Sequence, residues 1–189
     1  MSLIELPLVI DADVLSSFAW VDRLDILEKL YAKKMIVLEE VTNELSKIEH
    51  VSKRVESCIK RGSIKFMSIP ANASEALELA HLLESGRYGR GEAACLAYLK
   101  YNFGSLASNN VSDVKVVCSD KNICLLTVPD IINYAYKTNV ITKEEANELW
   151  INMVKKKRKL PTNSFYDFLA TSSSKYIIVG SEDGKKKIQ

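Results

Sequence analysis

The chain is short of the features that most often announce a binding chemistry. Its four cysteines, Cys58, Cys95, Cys118 and Cys124, form no C-x-x-C pair, and most of them lie in apolar helical or strand contexts. They are therefore expected to be buried, reduced thiols. The two histidines, His50 and His81, are isolated, which argues against a zinc site. No apolar run approaches the ~20 residues of a membrane span, and the first residues lack the charged-then-apolar pattern of a signal peptide. The chain is thus expected to be soluble and cytoplasmic. Net charge is only +2, too little to imply nucleic-acid binding by itself. No internal repeat or low-complexity segment stands out.

What the chain has is a globular composition, 47% apolar and 26% charged over 189 residues. A chain of this size buries roughly 70% of its unfolded surface without needing disulfides or metal to fold. Basic residues cluster at Lys155–Lys159 and at Lys185–Lys187. Such runs usually read as solvated surface or tail, and they only permit a phosphate-bearing partner.

Short apolar runs alternate with helical stripes. "LPLVID" (Leu6 to Asp11), "MIVL" (Met35 to Leu38), "IKFMSI" (Ile64 to Ile69), "GSLAS" and "CLLTV" read as strands, the first buried on both faces. Trp20, Leu24, Leu27 and Tyr31 predict a helix over residues 21–33. Val41, Leu45 and Ile48 mark another that continues through residues 49–62. Residues 73–84 and 91–101 predict two helices joined by "SGRYGRG", and a further helix begins near Val111. Beyond Val128 the pattern is helical, with Thr142 and Glu145 forming a capping box. Strands alternating with helices imply right-handed parallel crossovers. The expected fold is a layered α/β/α domain with a mostly parallel sheet of four to five short strands. Residues 1–140 are expected to form this domain. Residues 141–175 would be a helical extension packed on it, and residues 176–189 a disordered tail.

In such sheets ligands gather beyond the carboxyl ends of the strands, which directs attention to acids there. Asp11 ends the first strand and Asp13 follows; one aspartate so placed is most simply a helix cap. Glu44 borders the Val41–Ile48 stripe, which favours burial near the sheet over solvation. Glu92 is suited to a helix's first turn, yet Cys95, Leu96 and Leu99 put it beside a buried face. Several carboxylates together raise one another's pKa unless cations neutralise them. Hard ions such as Mg2+ or Mn2+ suit oxygen ligands and water.

The segments "VIDADVL", "IVLEEVTNEL", "GRGEAACLA" and the long stretch from "LASNNVSDVKVV" to "ITKEEANELW" resemble the PIN-domain nucleases (the domain named for the PilT N-terminus). The similarity runs over roughly residues 6–160 and is to the small prokaryotic branch that includes toxin–antitoxin ribonucleases. It implies a ribonuclease specific for single strands and dependent on Mg2+ or Mn2+. Asp11, Glu44 and Glu92 would be its metal ligands and catalytic acids, with Glu40 a rival to Glu44. It also implies a small antitoxin partner and a homodimer. The helix from Lys143 to Lys157 or the "SFYDFLA" aromatics would serve those contacts, unless the aromatics simply pack on the domain.

Where the family usually has an aspartate, this chain has Asn109, followed by Asn110. Asp113, four residues on, shares a helix face with Asn109 and would supply the displaced charge. Asn109 or Asn110 would then position water or substrate, and Asp13 would adjust the ligands through hydrogen bonds. In the plainer reading, Asn110 or Ser112 caps a helix and Asp113 is a solvated acid. Arg87 and Arg90 are candidates to hold the substrate backbone, without reading its sequence. The amides also support an alternative: a PIN-like module that has lost catalysis and acts by binding RNA or protein. An unrelated receiver- or phosphatase-like domain using Asp11 and Asp13 would want a lysine after a strand, whereas Lys121 falls in a predicted helix.

Overall fold

In a computed structural model, residues 2–171 and 176–178 are described. The elements run β1 (Ser2–Ile4), β2 (Leu8–Ile10), α1 (Ala12–Trp20), α2 (Leu24–Tyr31), β3 (Met35–Leu38), α3 (Glu39–Leu45), α4 (Glu49–Lys60) and β4 (Ile64–Met67). They continue with α5 (Ser74–Glu84), α6 (Arg90–Tyr101), β5 (Ser105–Ala107), α7 (Val111–Asp120), β6 (Leu125–Leu126), α8 (Val128–Lys137), α9 (Lys143–Lys155), α10 (Phe165–Thr171) and β7 (Tyr176–Ile178).

The central sheet has the order β4-β3-β2-β5-β6, and every pairing in it is parallel. This is the expected α/β architecture, and the five expected strands form it. Every residue of β2, β3 and β5 is buried, as befits strands covered by helices on both faces. That is why they read as continuous apolar runs rather than as alternating ones. All four cysteines are buried and unpaired. Among the described residues, no helix is long and apolar enough to cross a membrane.

Three boundaries differ from expectation. The helix predicted over residues 21–33 is two helices: α1 already begins at Ala12, and the chain breaks at Val21–Arg23, where Asp22 takes a left-handed φ of 58°. Both helices face the same core, so one apolar stripe runs across the break. The helix predicted from α3 through residue 62 is likewise interrupted at Ser46–Ile48 before α4 begins. Finally, Tyr176–Ile178, assigned to the tail, pairs in parallel with Ser2–Ile4 as a separate two-stranded sheet. The remainder of the expected disordered tail lies outside the described residues.

The expected capping box at Thr142 and Glu145 is present, and Thr127 with Asp130 forms a second one that starts α8. Helix α9 packs against α8, α1 and α10. Trp150 of α9 is fully buried, donates from Nε1 to Thr162 O at 2.9 Å and meets the rings of Phe165 and Phe168. Those two aromatics of "SFYDFLA" are thus packing groups, while Tyr166 stays exposed.

Candidate active site

Strand order reverses between β2 and β5. From β2 the chain steps outward through β3 and β4, then returns to place β5 on the other side of β2 and β6 beyond it. The crevice beyond the carboxyl ends of two such strands is where open parallel sheets take ligands. Asp11 directly follows β2, and Ser108 and Asn109 directly follow β5. Their polar groups tie the two strand ends together. The Asp11 N–H donates to Ala107 O at 3.0 Å, Ser108 Oγ to Asp11 Oδ2 at 3.3 Å, and the Asn109 N–H to Asp13 Oδ2 at 2.8 Å.

Asp11 is also the N-cap of α1, accepting the Ala12 N–H at 2.7 Å. The cap reading is therefore true of it, but it does not account for the rest of its surroundings. Burial pushes its carboxyl up to about 8, and the charge of Asp13 adds to this, followed by those of Glu92 and Glu44. Glu92, in the first turn of α6, is only 5% exposed. Burial raises it to about 7, the like charge of Asp113 adds to this and those of Asp13 and Glu44 add less, while the Asn110 amide pulls it down. Asp13 is raised by burial too, against the N–H groups of Asn109 and Val14 and the charge of Arg158, all of which lower it.

Glu44 comes from the neighbouring α3. Its Oε1 accepts the Gly91 N–H at 2.7 Å, across from the first turn of α6. A Cβ on Gly91 would stand 3.1 Å from Glu44 Oε2 and 3.2 Å from Val41 Cγ2, so the small residue of "GRGEAACLA" makes room for this carboxylate. Of the two rivals, it is Glu44 whose charge acts on Asp11, Asp13 and Glu92. Glu40 keeps a buried Oε2 with no hydrogen-bond partner.

The two asparagines have separate duties. Asn109 Oδ1 accepts the Val128 N–H at 2.9 Å and so fastens the start of α8 to the end of β5. That hydrogen bond takes one of the two lone pairs of the oxygen. Asn110 occupies the N-cap position of α7, but its side chain caps no backbone group. Its Nδ2 donates instead to Asp113 Oδ2 at 2.6 Å, while Ser112 Oγ donates to Asp113 Oδ1 at 3.1 Å. Asp113 is half-buried beside Glu92 rather than a freely solvated acid. Arg87 and Arg90 are exposed at the rim, on the turn before α6 and at its first residue.

The acids of four segments thus share one crevice. Among the described residues, however, no three His, Cys, Asp or Glu side chains already form a set that encloses an ion. The donor chemistry still fits a hard divalent cation. Every donor is an oxygen, and Asp13 Oδ1 and Glu92 Oε1 are buried without a hydrogen-bond partner. Orphaned buried oxygens of this kind are costly unless something positive reaches them. An ion of the Mg2+ type keeps several of its waters, so Asp11, Glu44, Glu92 and Asp113 could hold one partly through water.

Two groups at the site went unrecognised in the sequence. Ser108 is fully buried, donates to Asp11 and accepts the Asn110 N–H at 3.2 Å; at the end of a short strand it reads as one more small residue. Arg158 lies within a lysine run that reads as solvated charge. A left-handed turn at Lys157, φ 59°, brings its Nη1 to 3.5 Å from Ser16 Oγ on α1.

Searches of curated proteins and of solved structures each return no match. A family model described as a PIN domain matches residues 7–174, a span that takes in every acid named above. The match covers most of the length, so the chain belongs to the PIN-domain family, whose members are generally nucleases that work with divalent metal ions.

Proposed function

We propose that this chain is a metal-dependent endoribonuclease that hydrolyses phosphodiester bonds of single-stranded RNA. The observation that carries the reading is the gathering of Asp11, Asp13, Glu44, Glu92 and Asp113 at the switch point, tied there by hydrogen bonds and close enough that their charges help raise the carboxyls of Asp11, Asp13 and Glu92. Asp11, Glu44, Glu92 and Asp113 would hold Mg2+ or Mn2+. When bound, such an ion neutralises charge at a phosphodiester and acidifies water.

The chain's own residues set the frame for that chemistry. Ser108 and the Ala12 N–H orient the Asp11 carboxylate. The Gly91 N–H fixes Glu44, and Asn110 holds Asp113 beside Glu92. Asp13 works through its hydrogen bond to the Asn109 backbone, keeping the two strand ends in register. Arg87 and Arg90 would meet the backbone of the strand. In the hydrolysis itself, water's oxygen bonds to phosphorus, one ribose oxygen leaves, and that oxygen takes up a proton.

The decisive experiment incubates purified protein with labelled single-stranded RNA and Mn2+, beside Asp11→Asn and beside EDTA. Cleavage confined to the wild type with metal is expected. Cleavage that persists in either control sinks the assignment. The amide at position 109, where the family usually carries an aspartate, and the second amide beside it favour a second reading: a module that binds RNA or protein without cutting. Metal binding with no cleavage across a broad RNA panel selects it.

A toxin role, with a small antitoxin that blocks the acidic crevice, and a homodimer are part of the same proposal. They rest on the family branch alone. Light scattering of the purified chain tests the dimer, and a monomer at all concentrations removes it.

A further inference from the structure

Within the exposed basic run at the end of α9, Arg158 is half-buried. Arg158 turns back onto α1, with Nη1 at 3.5 Å from Ser16 Oγ and its guanidinium carbon 5.9 Å from the centre of the Trp20 ring. Lys156 places Nζ 5.8 Å from the same ring centre. His50, at the start of α4, sets its ring edge-on to Trp20 at 4.1 Å. Trp20 itself is half-buried, and its Nε1 has no hydrogen-bond partner. Among the described residues, neither Lys156 nor Arg158 makes an ion pair within 4.0 Å, although the charge of Arg158 reaches Asp13.

Helix α1 joins this cluster to the acids. Asp13, Ser16, Ser17 and Trp20 fall at i, i+3, i+4 and i+7, so they lie along one face. Two turns of helix separate Asp13 from Trp20, about 10 Å of axis. One end of that face carries acids, and the other an indole with cations around it. A polyanion that places one phosphate at the acids can lay its continuing backbone against the cations. Gathered cations beside an aromatic ring are the combination that tracks single strands.

We propose that Arg158, Lys156 and Trp20 form the track that holds the backbone of a single-stranded nucleic acid next to the acidic crevice. The assignment rests on the nuclease reading for where the reacting phosphate sits. It makes the carboxyl end of α9 part of the substrate surface, and it adds contacts on the α1 side to those of Arg87 and Arg90 at the α6 rim. The contacts are to phosphate, so they confer affinity without choosing a sequence.

The test measures binding of a fluorescein-labelled single-stranded oligouridylate in EDTA, where no turnover occurs, between about 50 and 200 mM salt. Wild type is compared with Lys156→Gln/Arg158→Gln, with Arg158→Lys, and with the control Lys121→Gln/Lys137→Gln. The control changes two exposed lysines just beyond the C-terminal end of α7 and at that of α8, away from the crevice. Each lost phosphate contact reduces the slope of log affinity against log salt by about 0.7 on a single strand, so the track variant should lose about 1.4. Arg158→Lys should keep the wild-type slope, and the control should lose little.

Wild-type affinity and slope in the track variant overturn the proposal, as does absence of strand binding by the wild type at low salt. Should the double variant fold poorly, the exposed Lys156→Gln alone still carries the test through a slope change of about 0.7. Mn2+ then separates the two claims. A wild type that binds through the track but does not cleave sinks the hydrolysis and leaves the track. Cleavage by the double variant at unchanged KM sinks the track and leaves the hydrolysis.

Discussion

At the end of β2, Asp11 accepts the Ala12 N–H as a helix cap does, while burial and its acidic neighbours push its carboxyl up to about 8. The two demands are separable by chemistry. Asparagine caps a helix about as well as aspartate, so Asp11→Asn keeps the cap and removes the charge, with an NH2 group now facing Ser108 Oγ. Cleavage should fall by at least about a hundredfold, since even residues that merely orient metal ligands cost ten- to a hundredfold. In EDTA at pH 8 the same variant should be more stable than wild type by roughly 1–3 kcal/mol, because a crowded buried charge has gone. Urea melts of the two proteins measure this directly, and a less stable variant would mean that the cap, not the crowding, dominates. Asp113 admits a parallel measurement. Its carboxylate is held by Asn110 and Ser112 beside Glu92, so Asp113→Asn should weaken Mn2+ binding by about tenfold through loss of ligand charge. Unchanged Mn2+ affinity would reduce Asp113 to a first-turn acid.

Among the elements, the close approaches of backbone to side chain decide which substitutions are tolerated. Gly91 lets Glu44 reach the first turn of α6, and an added Cβ would crowd the carboxylate and Val41 at 3.1–3.2 Å. Gly91→Ala should therefore cost only about 1 kcal/mol of stability but a larger share of activity, read as kcat in the RNA assay beside a thermal melt. Gly104 is stricter: at φ +147° its Cβ would lie 2.6 Å from Pro7 O, a backbone atom that cannot swing aside. Gly104→Ala should destabilise the chain by about 2–4 kcal/mol, since strain adds to the clash. The same contrast explains what the sequence made legible. The strands were readable because burial on both faces leaves uninterrupted apolar runs at Leu8–Ile10 and Met35–Leu38. Asp11, Glu44 and Glu92 were readable because each adjoins such a run or a buried helical stripe. The α1–α2 break was hidden, since Asp22 turns left-handed with neither glycine nor proline to mark it. The β1–β7 pair and the return of Arg158 to Ser16 join residues more than a hundred positions apart, and no local pattern encodes such a meeting. Asn109 was legible as a departure from an acid but not as the latch on Val128, which exists only once β5 and α8 are neighbours.

For the molecule as a whole, the raised carboxyls couple stability to pH and to metal. Asp11 and Glu92 titrate from ordinary values of 3.8 and 4.5 up to about 8 and about 7 in the folded chain. The folded chain therefore holds these protons more tightly than the unfolded one. The stability they lend is complete below the ordinary values, drains away as pH rises, and is gone once pH passes about 8. In EDTA the melting temperature should accordingly fall from pH 5 to pH 8 more steeply than in Asp11→Asn/Glu92→Gln, which has no such protons to lose. A divalent ion competes with those protons for the same oxygens, so Mn2+ should bind more weakly as pH drops below 8. At a hundred times its Kd, Mn2+ adds about 2.7 kcal/mol to a chain that binds it only when folded. For a protein of this length that corresponds to a rise of roughly 5–11 °C. The rise should be largest at pH 8, shrink toward pH 5 and vanish in the double variant. A wild type whose melting temperature ignores Mn2+ at pH 8 would leave the crowded carboxylates without a counter-ion, and the crevice would then have to work in its protonated form.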